Sequence, residues 1–147
     1  MSKFNFDKLA ARFQQLKKEL PIEIAADAVK FFNKSFTQHG FDDGGVKPWK
    51  EVNRRIPGTP EYKYPKNRGL GRRKSAILVR SGRLKAAVNN SAKKRTFEEI
   101  LFEVESPYGR FHNEGAGHNP KRKFMGDSKT LRKIILNKIK LRMKGLK

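Results

Sequence analysis

The residues most able to do chemistry lie in one segment, positions 106–126, which reads SPYGRFHNEGAGHNPKRKFMG. His112, Glu114 and His118 are residue types that bind zinc or another transition metal. Two glycines between them favour a turn, and the chain has no cysteine to complete a metal site. Metal binding is therefore a weak hypothesis. A docking or fold-defining element is the stronger interpretation of this segment.

Other catalytic interpretations have less support. A nuclease could use His112 to activate water, but no set of metal ligands accompanies that histidine. The neighbouring carboxylates Asp42 and Asp43, or Glu98 and Glu99, would face opposite ways on a strand. The sequence also lacks the P-loop, GxSxG, HExxH and GxGxxG patterns. We therefore expect a protein that is not an enzyme and binds neither a cofactor nor a metal.

The chain is strongly basic, with a formal net charge of +21 over 147 residues. This charge predicts attraction to nucleic acid, anionic membrane or acidic protein surfaces. No apolar run approaches the roughly 20 residues that span a bilayer, and the N-terminus has no apolar signal core. We expect a single domain over residues 1–147 that stays in the cytoplasm in which it is made, without membrane association.

The excess charge lies in two blocks. Residues 46–85 hold thirteen basic and two acidic side chains, and residues 121–147 hold eleven and one. Most of the first block belongs to a segment, about residues 42–75, with four prolines and little apolar periodicity. A connection of about 30 residues exceeds the usual loop length. It is interpreted either as a solvated insertion or as a mobile basic arm that orders on a partner.

In the second interpretation, Tyr62 and Tyr64 are further aromatic anchors, and the candidate contacts with a partner or polyanion are Trp49, Arg54, Arg55, Arg72, Arg73 and Lys74. Because this segment has few apolar residues, removing residues 46–74 is expected to leave the fold largely intact.

The second basic block predicts a C-terminal amphipathic helix. Asp127 or Ser128 can cap its start. The apolar residues that follow recur at helical spacing, namely Leu131, Ile134, Ile135 and Ile139. The helix either packs on the core with a solvated basic face or presents that face to a polyanion.

The remaining patterns predict an α+β domain. One helix is expected over about residues 5–19 and a second from Pro21 to Gly40, since proline suits a first turn and glycine a C-terminus. After the basic loop, residues 87–92 and 97–104 are expected to pair as an antiparallel hairpin. Alternation of apolar and polar residues over 100–105 is typical of a half-buried strand.

The order of these pieces resembles the phage virion morphogenesis family, which includes the Mu-like and P2-like tail completion proteins. The resemblance covers roughly residues 25–145 and is specific in its order rather than in any single piece. The residues that carry it, and that we expect to serve assembly or to define the fold, are Ser81, Gly82, Leu84, Tyr108, His112, Glu114, Gly115, Pro120, Arg122, Phe124 and Gly126.

The family pattern is Tyr-Ala-x-x-His-Gln-x-Gly followed by Pro-Ala-Arg-Pro-Phe-Leu-Gly. This chain has Gly109 in place of the alanine and Asn113 in place of the glutamine. Lys121 and Lys123 replace the alanine and proline beside Arg122.

The resemblance implies a structural role in completing the tail or joining it to the filled head. Its expected partners are other tail or head–tail connector proteins, and its assembled form is a homo-oligomeric ring with the six-fold symmetry usual for tails. Contact with packaged DNA is a further implication. Such a protein would occupy the host cytoplasm during assembly and then the virion. The alternative is a basic nucleic-acid-binding protein of ribosomal or nucleoid type.

Residue chemistry suggests roles within the motif. Tyr108, Phe111 and Phe124 are expected to pack it onto the sheet. Gly115 and Gly117 are expected to form a turn. Arg122 is expected to pair with a carboxylate, either Glu114 or one on a neighbouring subunit. His112 is expected to form hydrogen bonds within the turn.

Overall fold

The computed structural model describes residues 5–64 and 75–146. It is a mixed helix and strand structure, which confirms the α+β class. Arg72, Arg73 and Lys74 lie outside the described residues. No helix in the described part of the chain is long and apolar enough to cross a membrane.

The N-terminal region is one continuous helix, α1 (Phe6–Gln38), so the prediction of two helices is wrong. It begins at Asn5, whose side chain accepts a hydrogen bond from the amide of Lys8 at 3.0 Å. Pro21 lies inside α1 and is buried. An internal proline removes one backbone hydrogen bond and costs about 3 kcal/mol. Burial of the helix on both sides of Pro21 offsets that cost, because Leu16 and Ala25 both belong to its buried face.

The helix ends at His39, which adopts a left-handed conformation with φ 50°. Two short strands, β1 (Gly40–Asp42) and β2 (Val46–Pro48), follow as an antiparallel hairpin in which Gly40 pairs with Pro48. A Cβ atom on Gly40 would lie 2.6 Å from the carbonyl oxygen of Lys47, so only glycine fits this register.

Part of the predicted mobile loop is therefore structured. Beyond β2 lie a 3₁₀ turn, Asn53–Arg55, and a short helix, α2 (Pro60–Lys63). Thr59 caps α2 through a hydrogen bond from the amide of Tyr62 to its hydroxyl. The expectation that residues 46–74 contribute little to the core is wrong for Trp49, which is buried with a residual exposure of 8%.

The predicted central hairpin exists with different bounds. Residues that we expected in its first strand form the end of a helix, α3 (Arg83–Asn89). The strands are β3 (Ala92–Arg95) and β4 (Ile100–Phe102), and they pair antiparallel with a bulge. The turn lies at Thr96–Glu99 rather than at residues 93–95, since the backbone of these two residues exchanges hydrogen bonds. The expected alternation of half-buried and exposed residues over 100–105 is confirmed.

Two helices complete the chain, α4 (Gly109–Glu114) and α5 (Lys129–Lys144). Ser128 caps α5 by accepting a hydrogen bond of 3.1 Å from the amide of Leu131, which confirms one of the two predicted caps. The hydroxyl of Ser128 donates in turn to the carbonyl oxygen of Asp42 at 2.6 Å. This single side chain both starts α5 and fastens it to β1.

α5 packs against α1 through ion pairs as well as apolar contacts. Arg142 bonds to Glu19 and lies 3.5 Å from Glu23, and Lys138 lies 2.9 Å from Asp27. These pairs join α5 to α1 on both sides of Pro21. The main hydrophobic core lies farther along α1 and gathers residues from every part of the described chain, among them Phe31, Phe32, Phe36, Phe41, Trp49, Ile77, Leu84, Val88, Phe124 and Leu131.

Candidate functional site

Three separate parts of the sequence motif meet around one cavity of about 550 Å³, called here the arginine cavity. Of the residues singled out from the sequence, those that line it are Ser81, Gly82, Leu84, Tyr108, His112 and Arg122. Arg54, Arg80 and Arg83 also line it. The structure thus joins the Ser-Gly-Arg-Leu turn to the later motif, although their first residues are some 25 positions apart in the chain.

The turn that forms one wall is held in an unusual backbone conformation. Leu78 has φ 61° and Gly82 has φ 74°, both in the left-handed region. Glycine adopts that region without steric cost, whereas leucine pays about 1 kcal/mol or more. Leu84 then buries its side chain in the core with 3% exposure, which fixes the start of α3 beneath the turn.

The opposite wall is α4, and its end requires glycine. Gly115 caps α4 with φ 76°. A Cβ atom on Gly115 would lie 2.8 Å from Cβ and 2.9 Å from Cα of Lys121, so the returning chain passes directly over this residue. Gly117 also has a positive φ, 67°, but no atom lies within 4 Å of its hypothetical Cβ. The expected glycine turn is confirmed at both positions, with a close approach at Gly115 only.

Arg122 anchors the returning chain with its buried guanidinium. Nε and Nη2 donate to the carbonyl oxygen of Lys50 at 3.1 and 3.0 Å, and Nη2 also reaches that of Glu51 at 3.5 Å. The expected pairing with Glu114 is wrong, because Glu114 accepts from Nε of Arg110 at 2.9 Å. Burial lowers the pKa of Arg122, but a guanidinium stays charged in proteins.

Asn113 is a structural residue that sequence reasoning missed. Its Oδ1 accepts hydrogen bonds from the amides of Phe124 at 2.9 Å and Met125 at 3.1 Å. The amide side chain thus holds the Arg-x-Phe-Met part of the motif against α4. One feature of the sequence could have indicated this role. Asn113 stands where the resembled family pattern has glutamine, and both side chains offer a carbonyl oxygen.

His112 is half-buried, and its main-chain carbonyl group, not its imidazole ring, makes the hydrogen bond to the returning chain. Its carbonyl oxygen accepts a 2.7 Å hydrogen bond from the amide of Arg122, whereas its Nδ1 is buried and has no partner within the described ranges. The expected hydrogen bonding therefore belongs to the main chain rather than to Nδ1. Burial, with a smaller contribution from the positive charge of Arg122, lowers the pKa of His112 below its usual value.

The aromatic residues of the motif divide into one buried and two exposed side chains. Phe124 is 1% exposed and packs against Phe36 of α1, with ring centroids 5.5 Å apart. Tyr108 and Phe111 are 39% and 47% exposed, so the expectation that all three pack onto the sheet is wrong. Phe124 packs on helix α1.

Trp49 belongs to the core rather than to an exposed arm. Its ring meets that of Phe36 edge to face, with centroids 5.9 Å apart. Its Nε1 donates to the carbonyl oxygen of Lys123 at 2.7 Å. The sequence predicts Trp49 to be an exposed anchor for a partner, and this prediction is wrong.

The two described arginines of the predicted contact set have partners within the chain. Arg54 donates to the carbonyl oxygens of Ser75 and Ala76, each at 3.2 Å. Arg55 lies 3.5 Å from Glu51. A second cavity of about 940 Å³ shares Arg54 and Arg122 with the arginine cavity and is also lined by Pro120, His118 and Tyr64.

The proposed metal ligands do not form a cluster. His118 lines the larger cavity and His112 the arginine cavity, while Glu114 is bound to Arg110. Over residues 5–64 and 75–146, no group of three His, Cys, Asp or Glu side chains is placed to hold a metal ion.

A basic stripe lies on the outward side of α5. Its four lysines are exposed and make no ion pair with any carboxylate in the described ranges; they are Lys129, Lys133, Lys140 and Lys144. At positions 133, 140 and 144 the helical repeat brings these charges to one side.

Comparison with protein-family models, with curated proteins and with solved structures finds no match to this chain.

Proposed function

We propose that this chain is a non-enzymatic virion assembly protein that acts by binding, in tail completion or head–tail joining of a tailed phage or prophage-encoded particle. The observation that carries the proposal is the meeting of the Ser81–Leu84 turn, α4 and Arg122 around one cavity. Six of the eleven residues that carry the resemblance to virion morphogenesis proteins thus lie around one cavity.

The surface supports a role in which the protein binds other proteins. Large apolar side chains are exposed towards the ends of the paired helices, including Phe6 and Phe13 on α1 and Leu141 and Met143 on α5. Exposed apolar groups beside charged ones are typical of protein interfaces. In the proposed function they contact further subunits of a ring or other tail and connector proteins.

The proposal is tested by deleting the gene from the replicon that encodes it and viewing the lysate by electron microscopy. We expect filled heads and separate tails, with joined particles restored when the intact gene is supplied in trans. Normal infectious particles from the deletion would refute the role. A metal analysis and a nuclease assay on the purified protein test the non-enzymatic part of the proposal.

The second candidate is a nucleic-acid-binding protein, which the basic stripe of α5 favours. Exposed lysines without carboxylate partners are available to phosphates, and each phosphate contact lowers log K by about 0.9 per unit of log salt on duplex DNA. A Lys133→Gln/Lys140→Gln/Lys144→Gln variant should then bind duplex DNA more weakly with a shallower salt slope. Absence of binding by the unmodified protein at moderate salt would remove this candidate.

A further inference from the structure

The arginine cavity brings four arginine side chains together. Arg54, Arg80, Arg83 and Arg122 line it together with His112, and no carboxylate is among its described lining residues. A concave site of one sign of charge attracts ligands of the other sign.

Most other described arginines with a side-chain contact pair with a carboxylate, although Arg95 donates to the carbonyl oxygen of Ala92 at 3.4 Å. Arg55, Arg110, Arg132 and Arg142 each lie within 4 Å of an acidic side chain. In the cavity, Arg122 donates to the carbonyl oxygen of Lys50, and Arg54 donates to those of Ser75 and Ala76.

Arg80 and Arg83 are the groups with free capacity to bind a ligand. Both side chains are exposed, and neither makes a hydrogen bond or ion pair within residues 5–64 and 75–146. A guanidinium offers five donors in a planar fork that matches a carboxylate or a phosphate. Arg80 lies within the turn at Leu78–Gly82 and Arg83 follows it directly, so this turn sets the backbone positions from which the two side chains extend.

The remaining wall of the cavity is apolar, which restricts the class of ligand. Val52, Leu78, Val79 and Leu84 line it beside the arginines, and the exposed ring of Tyr108 borders it. A nucleic-acid duplex is too wide to enter a cavity of about 550 Å³, and its phosphates gain nothing from an apolar wall. A peptide with both carboxylate and apolar side chains satisfies both surfaces.

We propose that the arginine cavity binds an acidic peptide segment of a partner protein, with carboxylates at Arg80 and Arg83 and an apolar side chain against Leu78 and Leu84. The buried Arg122 and the partly buried Arg54 add charge from the cavity wall. This inference does not rest on the virion role, because the cavity would bind such a segment on any protein that presents one.

The test uses the full-length protein and three probes at physiological salt. The first is a fluorescein-labelled peptide of alternating glutamate and leucine, eight residues long. The second is its counterpart with glutamine for glutamate, and the third is a labelled single-stranded oligonucleotide of equal charge. Fluorescence anisotropy measures binding, and amide chemical shifts of the unmodified protein locate it. We expect the acidic peptide, and neither of the other probes, to bind at the cavity, with its largest shifts at Gly82, Leu84 and His112.

The matched variants remove equal charge at two places. Arg80→Gln/Arg83→Gln should weaken binding of the acidic peptide at least about tenfold, the loss expected when charge-assisted hydrogen bonds are removed. Lys140→Gln/Lys144→Gln on α5 should change it less than about twofold, because exposed charges far from a site act weakly through screening.

Equal weakening in both variants, or equal binding of the glutamine peptide, would overturn the proposal. Amide shift changes confined to α5 would also overturn it. These shifts are recorded on the unmodified protein, so this outcome does not depend on whether the variants fold. Oligonucleotide binding that is lost only in Arg80→Gln/Arg83→Gln would assign the cavity to nucleic acid instead.

Discussion

The guanidinium of Arg122 donates two hydrogen bonds to one carbonyl oxygen, that of Lys50, at 3.1 and 3.0 Å. These bonds connect the chain after α4 to the segment after β2, 72 positions away. One position away in each segment, the indole of Trp49 donates to the carbonyl oxygen of Lys123 at 2.7 Å. The two segments are thus held together by two oppositely directed side-chain anchors.

Replacing Arg122 should destabilise the protein by removing the partner of a backbone carbonyl. Arg122→Met should lower the free energy of unfolding by about 2–3 kcal/mol, since a buried acceptor without a partner costs 1–3 kcal/mol. Arg122→Lys should recover only part of this, because an ammonium cannot reproduce the planar fork. Urea denaturation measures both. Arg132→Met, which breaks an exposed pair with Asp127, should cost less than about 1 kcal/mol. An equal loss of unfolding free energy in Arg122→Met and Arg132→Met would contradict the role of Arg122 in joining the two segments.

Trp49 should behave as a core residue. Trp49→Ala should cost about 3–5 kcal/mol, as for other large-to-small changes of buried aromatic residues. Trp49→Phe should retain much of the packing against Phe36 and lose mainly the hydrogen bond to Lys123, worth about 1 kcal/mol. Thermal unfolding distinguishes the two variants. If Trp49→Ala were as stable as the unmodified protein, the indole would belong to the surface.

Asn113 should act through its carbonyl oxygen. Asn113→Ala leaves the amides of Phe124 and Met125 without an acceptor and should cost about 2–3 kcal/mol. Asn113→Asp keeps an oxygen at that place and should cost less. Asn137→Ala, on the exposed side of α5, is the matched control and should stay within about 0.5 kcal/mol. Chemical denaturation measures the free energy of unfolding of the three variants. An equal loss of stability in Asn113→Ala and Asn137→Ala would contradict the role of the Asn113 hydrogen bonds.

The two positive-φ glycines separate backbone strain from steric contact. Gly117→Ala should cost about 1 kcal/mol, because its φ of 67° is unfavourable but its surroundings are open. Gly115→Ala carries the same strain and also places Cβ 2.8 Å from Lys121, so it should cost clearly more, about 3 kcal/mol. Equal melting temperatures for the two variants would show that the chain can move away from Gly115.

His112 should make stability depend on pH. Its pKa in the folded protein is lowered from 6.5, so the unfolded chain binds the proton more readily. Stability from the neutral ring is therefore full above pH 6.5 and is lost as pH falls towards the lower folded pKa. Urea denaturation at several pH values just below 6.5 should show that the free energy of unfolding decreases as pH falls. The His112→Gln variant should show a smaller decrease. An unchanged slope in His112→Gln would mean that His112 titrates alike in both states.

Local signals in the sequence were reliable where neighbouring residues decide the outcome. Ser128 starts α5 because its hydroxyl accepts a hydrogen bond from an amide three residues later. Gly115 ends α4 because glycine adopts the left-handed φ that the helix end requires, whatever its distant neighbours are. The alternation over residues 100–105 follows from the two-residue repeat of a strand. Each of these features depends on a few consecutive residues.

Pro21 shows where a local signal failed. Proline opens helices more often than it interrupts them, so two helices were predicted. In the structure α1 is buried on both sides of Pro21, at Leu16 and Ala25, and Arg142 of α5 forms ion pairs with Glu19 and Glu23 on the two sides. Such distant packing can outweigh a local cost of about 3 kcal/mol.

The sequence by itself determined the α+β class, the capped basic helix, the glycine turn and the concentration of charge in two blocks. Only the tertiary structure decided that Trp49 is buried, that Arg122 bonds to Lys50 and that the Ser81–Leu84 turn meets α4 around one cavity. The reason is physical: capping, dihedral angles and periodicity act within a few residues, whereas burial and the choice of hydrogen-bond partner depend on contacts between segments tens of positions apart.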